Sequence, residues 1–311
     1  MVAESEKRGV KTLWTTNAQA ISWVLLSTGI FALIFASGKF AAGSASVVQI
    51  NFLRTIGGFI CLSALVAFLG NGLSSYRSTR PVSHFLRAVL GSAGSVAMIY
   101  AQTDMPTVDA TAMGLLYVVF VLILGMVVFH ERIGRKQWTG ILLCCVGAAG
   151  IMASRGAFQN FDTAYLVPAG GAVFGAAVFA VEGLLIKHLA THDRPMVLLV
   201  HVNIFAILLL AAPAYLYWKP LPLQDMLMYA ALGPVGVFAQ YCTIRGYGMA
   251  DISIVGPVDY SWLIFAALIG WYFGEIPTWG VAAGAALIAV GGIVLATVKP
   301  AREKQPVLEL Q

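Results

Sequence analysis

With 311 residues, 59% hydrophobic and only 11% charged, the chain is too apolar for a water-facing surface, which normally carries about 25% charged residues. Its net charge of +5 comes in small basic groups between apolar runs rather than along one stripe, which argues against a nucleic-acid partner. Stretches of about 20 residues with few or no charges mark a polytopic membrane protein and leave no room for a soluble catalytic domain.

Ten apolar runs follow in chain order, over residues 18–37, 47–69, 84–101, 107–129, 137–153, 165–186, 195–218, 226–247, 252–273 and 279–298. They are continuous rather than alternating, so they predict helices and exclude a β-barrel. The first run follows Lys7, Arg8 and Lys11 without a small-residue cleavage site and reads as an uncleaved first helix. Cys61, Cys144, Cys145 and Cys242 all sit inside apolar runs, without metal-ligand or disulfide spacing, and read as buried thiols. With the N-terminus inside, fifteen Lys and Arg, Arg87 and Arg245 among them, fall on the cytoplasmic side; Lys39, Arg155 and Lys219 fall opposite. Both termini are therefore expected in the cytoplasm, in a bacterial inner membrane.

Sliding the chain by 144 residues brings Phe129, Glu131, Gly140, Leu143, Val146 and Gly147 onto Phe273, Glu275, Gly284, Leu287, Val290 and Gly291. Five helices per half is an odd number, so the halves have opposite orientation. The expected fold is all-α, ten transmembrane helices as two inverted five-helix repeats, the architecture of alternating-access transporters. The predicted divisions are a tail at 1–17, a first repeat at 18–153, a linker at 154–164, a second repeat at 165–298 and a tail at 299–311. The second half carries Pro257 in IVGPVDY; its counterpart is Met113 in ATAMGLLY, so run four lacks the proline reason for a kink.

The stretch FHERIGRKQWTGILLCCVGAAGIM, its echo FGEIPTWGVAAGAALIAVGGIVLA, Lys39 and Lys187 closing runs one and six, and Arg54 in NFLRTIGGF resemble the paired EamA repeats of the drug/metabolite transporter superfamily. The resemblance implies a central cavity walled by runs one, three, four, six, eight and nine, with runs five and ten peripheral. It also implies a small organic substrate of open identity.

Three charges, Arg54, Glu182 and Asp259, lie more than one helical turn inside a run, and an intramembrane charge, at about 2.5–3.5 kcal/mol on insertion scales, needs a partner or a task. Glu182 in FAVEGLLIK reads as a contact for a substrate amine or proton, or as a salt bridge to Lys187. Asp259, just after Gly256 and Pro257, reads as a carboxylate offered beside unwound backbone, or as a partner of Arg245. Arg54 either clamps a substrate carboxylate or pairs structurally, Asp109 being one choice. His201 reads foremost as a hydrogen-bonded helix contact. Tyr100, Gln102, Tyr117, Gln240, Tyr241, Tyr260 and Trp262 complete a candidate substrate-binding set of aromatic walls with a few polar groups. Tyr217, Trp218, Trp271, Tyr272 and Trp279 suit an interfacial belt.

Small residues in GILLCCVGAAG and GVAAGAALIAVGG suit close helix packing, within the chain or against a second copy. His130-Glu131 is not a zinc motif, because Gly134 stands where HExxH needs its second His. No cofactor or metal is called for, and no Walker loop or nucleophile-base pair points to an ATP-driven pump or an enzyme. The function expected is secondary transport of an amino acid or an amine- or sulfonium-bearing metabolite, coupled to protons or exchange. A passive facilitator, or a carrier of a purine or vitamin, is the alternative.

Overall fold

Within hydrocarbon every backbone N–H and C=O must be satisfied inside its own segment, so apolar runs of membrane length fold as helices. The computed structural model describes residues 2–37, 45–68, 77–159, 162–274 and 276–298, whose regular structure is helical throughout. In chain order the α-helices are α1 Val2–Ser37, α2 Val47–Phe68, α3 Pro81–Asp104, α4 Thr107–Gly114, α5 Leu116–Val128, α6 Arg135–Ser154, α7 Leu166–Ala190, α8 Pro195–Leu216, α9 Leu223–Met249, α10 Ile252–Val255, α11 Ser261–Tyr272 and α12 Trp279–Ala296. They supply 10 segments long and apolar enough to cross a membrane. These coincide with the expected runs to within a few residues, α4 with α5 and α10 with α11 each forming one span. The basic segment expected as a tail is helical, because α1 already begins at Val2. Lys39, Glu275 and residues 299–311 lie outside the described residues.

Runs four and nine are both broken. The break in run nine follows from Pro257, which has no N–H for the helical ladder: a 3-10 turn, Gly256–Tyr260, separates α10 from α11. Run four is broken without a proline. Leu115 has ψ −11° and its carbonyl accepts from Val118 N at 3.2 Å, a local 3-10 tightening. Gly114 admits α3 here, since a Cβ would lie 2.5 Å from Met98 Cε.

Helix pairings come in matched sets: α3 with α7 and α9 with α1; α2 with α9 and α8 with α3; α5 with α7 and α11 with α1. Each set is what exchanging one half of the chain for the other produces. The small-residue stripes pack α6 on α12 inside the chain. A Cβ on Gly147 would lie 2.6 Å from the Gly284 carbonyl, and one on Gly284 would lie 2.5 Å from the Gly147 carbonyl. Gly140 and Gly291 repeat the reciprocal contact, and Cys144 Sγ reaches the Ile288 carbonyl at 3.7 Å between them.

Gly147→Ala and Gly284→Ala are therefore expected to destabilise the protein by about 1–3 kcal/mol, because backbone must move to admit the methyl. Gly150 and Gly292 have nothing within 4 Å of the added carbon, so Ala there is expected to be neutral or slightly stabilising. Thermal unfolding of the purified protein in detergent checks the contrast; equal midpoints for all four variants would remove this account of the α6–α12 seam.

Large apolar side chains such as Leu33, Ile60, Phe174 and Leu208 remain exposed, which suits lipid contact. The expected belt residues Tyr217, Trp218, Trp271, Tyr272 and Trp279 are exposed too. All lie at the end of the bundle away from the Asn17–Val298 contact, where the start of the first span meets the close of the last.

Candidate functional site

The break in run nine turns the Asp259 carboxylate inward. Tyr247 near the end of α9 donates to Asp259 Oδ2 at 2.8 Å, and Tyr117 on α5 donates to the same oxygen. The two phenols lie 3.0 Å apart, and Thr28 on α1 lies near the carboxylate, its hydroxyl donating to the Val24 carbonyl at 2.8 Å. Four spans thus converge on one acidic group. Two turns of α1 and α9 add a hydroxyl seam beside it, with Ser27 Oγ 2.6 Å from Thr243 Oγ1. The nearby Ser261 Oγ is buried and makes no hydrogen bond. Among the described residues no Lys, Arg or His forms an ion pair with Asp259; Arg245, considered as its partner, is exposed. A half-buried carboxylate ringed by hydroxyls and lacking a cation suits a proton or an incoming positive group.

Glu182 on α7 pairs with Arg87 on α3, Nε to Oε1 at 3.7 Å. It does not pair with Lys187, whose Nζ instead donates to the Ala250 carbonyl. Arg87, expected by sequence among the cytoplasmic basic residues, is instead 3% exposed within the third span. One turn before it, His84 Nε2 meets Asp193 Oδ2 at 2.9 Å and its ring stacks on His201, centroids 4.6 Å apart. His201 Nδ1 donates to the Val197 carbonyl at 2.8 Å, so this residue is a helix contact as well as a stacking partner. Arg54 and Asp109 do not meet: Asp109 is 2% exposed and accepts from Phe158 N at 2.7 Å.

At the end of the bundle near Asn17, the halves of the chain are bolted together. Glu131, in the turn after α5, accepts from the first backbone N–H groups of α10, Ile252 at 2.8 Å and Ser253 at 2.9 Å. A carboxylate at a helix N-terminus satisfies otherwise unpaired donors and complements the dipole. His130 holds a left-handed φ of 54°, as does Gly274 with φ 91° at the position 144 residues on; histidine tolerates this region better than most side chains, and the turn aims Glu131 at α10. Gln137 Nε2 reaches Ser253 Oγ at 3.2 Å. The neighbouring Asp251 carboxyl is pushed above the usual carboxylate range by burial and by Glu131, with Lys187 opposing.

The other predicted site residues disperse. Tyr100 and Gln102 are exposed, Tyr100 lining an apolar groove of about 500 Å³ between α3, α7 and α8. Tyr241 packs edge-on against Trp23, centroids 5.9 Å apart. Tyr260 is 4% exposed and lies 3.8 Å from Cys145 Sγ, toward α6. Trp262 packs on the main apolar core, and Gln240 Oε1 is buried without a hydrogen bond. All four cysteines are free. Sequence reasoning missed Arg87, Tyr247, Thr28 and His84. A charge three residues into run three is the available signal for Arg87; nothing local marks the others.

Comparison with known proteins adds the family context. The EamA-like transporter family matches residues 18–153 and 169–297. The chain is 22% identical over 274 residues to an S-adenosylmethionine uptake transporter of Rickettsia prowazekii (88% of this chain, 90% of the relative). It is 27% identical over 283 residues to a riboflavin transporter of Vibrio cholerae (88% and 91%). It is also 27% identical over 286 residues to a pseudopaline exporter of Pseudomonas aeruginosa (88% and 98%). A crystal structure with 21% identity superposes with a TM-score of 0.73 over 90% of this chain and 95% of that one, a likeness of fold.

Proposed function

The chain belongs to the EamA-like transporter family, and on that premise we propose that it is a secondary transporter of an amino acid or an amine- or sulfonium-bearing metabolite. It works by alternating access between two inverted five-helix repeats, in a bacterial inner membrane with both termini cytoplasmic. Carriage of a small metabolite is common to the named relatives; the positive group is read from this chain. The observation that carries it is Asp259, a carboxylate at a helix break, held by Tyr117 and Tyr247 and unpaired with any described cation. In this low-dielectric setting a substrate cation or a proton is what completes the site.

Support for alternating access comes from the matched helix pairings and from the closure around Glu131. A second reading, a neutral vitamin as cargo, is favoured by the riboflavin transporter among the relatives.

Counterflow in proteoliposomes tests both. Vesicles are preloaded with unlabelled amino acids, S-adenosylmethionine, other amines or riboflavin, and entry of the labelled compound is followed with and without a pH gradient. The expected result is transient accumulation above equilibrium for a cationic or zwitterionic compound. Accumulation of riboflavin alone would transfer the assignment to the second reading, and simple equilibration of every permeant would make the protein a facilitator.

A further inference from the structure

Among the described residues Arg87 and Glu182 form the only pair of an Arg or Lys with a carboxylate, and its geometry is unfinished. A guanidinium carries five N–H donors in a planar fork. In Arg87 the Nε and Nη1 groups are sealed from solvent and bond to nothing. Glu182 Oε1 stands 3.7 Å from Nε, beyond hydrogen-bond length. A buried charge with open donors is costly unless a matching acceptor arrives, and a carboxylate matches the fork in a bidentate way.

Glu182 has a seat of its own. Its carboxylate lies over Gly91, where a Cβ would come within 3.0 Å of Oε2, and its side chain keeps 18% exposure. The next residue, Gly183, faces the Tyr247 ring, a Cβ there coming within 3.9 Å of Cε1, and Tyr247 donates to Asp259. One positive and two negative side chains therefore follow one another from α3 through α7 to the break in run nine.

We propose that Arg87 is the anion subsite of the transport site: its fork takes a substrate carboxylate, while Glu182 and Asp259 take the positive group. The substrate is then a zwitterion, such as a free amino acid or a derivative that keeps its carboxylate, rather than a simple amine. The proposal rests on the reading of Asp259 as the cation site. Charge counting agrees with it. A zwitterion leaves one negative charge over among the three side chains, which a co-transported proton or a second positive group on the substrate neutralises.

Calorimetric binding to the purified protein in detergent tests it, with L-leucine, L-methionine and L-phenylalanine, each also as its methyl ester and as its N-acetyl derivative. In the unmodified protein, esterification is expected to weaken binding at least about tenfold, the loss of one charge-assisted contact. Arg87→Gln leaves the half-buried Glu182 unpaired, so the double variant Arg87→Gln/Glu182→Gln, which removes both charges together, is measured beside it. In both, acid and ester are expected to bind with equal, weak affinity. Arg87→Lys keeps the charge without the fork and is expected to fall between.

Equal binding of acid and ester by the unmodified protein, an acid preference that survives in the double variant, or no binding by any carboxylate of the panel would each overturn the proposal. Asp259→Asn separates the two readings. It is expected to lose the preference for the free amine over the N-acetyl compound while keeping the preference for acid over ester. If it changes nothing while the acid preference still tracks Arg87, the anion subsite stands and the Asp259 reading falls.

Discussion

Asp259→Asn is expected to abolish counterflow of cationic and zwitterionic substrates while the protein still folds and elutes as a single species. Asn keeps the size and one acceptor oxygen, so the phenols of Tyr117 and Tyr247 retain a partner, but the negative charge is gone. Truncating one side of a buried charge pair costs about 2–5 kcal/mol, or at least about 30-fold in affinity. Tyr117→Phe and Tyr247→Phe each remove one donor to the carboxylate and are expected to weaken transport by roughly 3- to 10-fold, the net value of a single hydrogen bond. Undiminished counterflow in Asp259→Asn would take the chemistry away from the break in run nine, whatever the family.

Glu131→Ala is expected to open the end of the bundle near Asn17. The Glu131 carboxylate joins the turn after α5 to the N-terminus of α10 through two backbone N–H groups, and α10 is only four residues long. Losing a cap costs a helix about 0.5–2 kcal/mol, so the closed arrangement is expected to lose up to about 30-fold in population. Glu131→Gln keeps one acceptor and is expected to lie between. A single cysteine at Ser261, which is 2% exposed, in an otherwise cysteine-free chain reports the change. Its reaction with an impermeant maleimide, applied from the side of the termini, is expected to rise about tenfold in Glu131→Ala, near the middle of the capping range. Unchanged labelling would mean that Glu131 stabilises α10 without gating access.

Much of the fold is legible without coordinates. In a bilayer the solvent dictates secondary structure, so length and apolarity of each run suffice to place ten spans, and positions 144 residues apart mark the two halves. The Gly pattern of α6 and α12 announces close packing, although whether it served this chain or a second copy was settled by the reciprocal contacts of Gly147 and Gly284. The break in run four carries no proline to mark it in sequence; Gly114 and the α3 side chain beside it accompany the same local tightening.

The candidate site divides in the same way. Asp259 and Glu182 stand out in sequence because a carboxylate inside an apolar run has no local reason to be there. Their partners do not stand out. Arg87 resembles one more basic residue near a helix start, and Tyr247 one more aromatic near a helix end. Sequence by itself determined the membrane, the ten spans, the family resemblance and the acidic residues, since each is a property of composition or short-range pattern. Only the tertiary structure decided that Arg87 faces Glu182, that Tyr117 and Tyr247 share one oxygen of Asp259, and that Glu131 caps α10. Those pairings join residues more than 90 positions apart in all but one case, and helix rotation and crossing, set by packing, choose among the partners that pattern alone leaves equivalent.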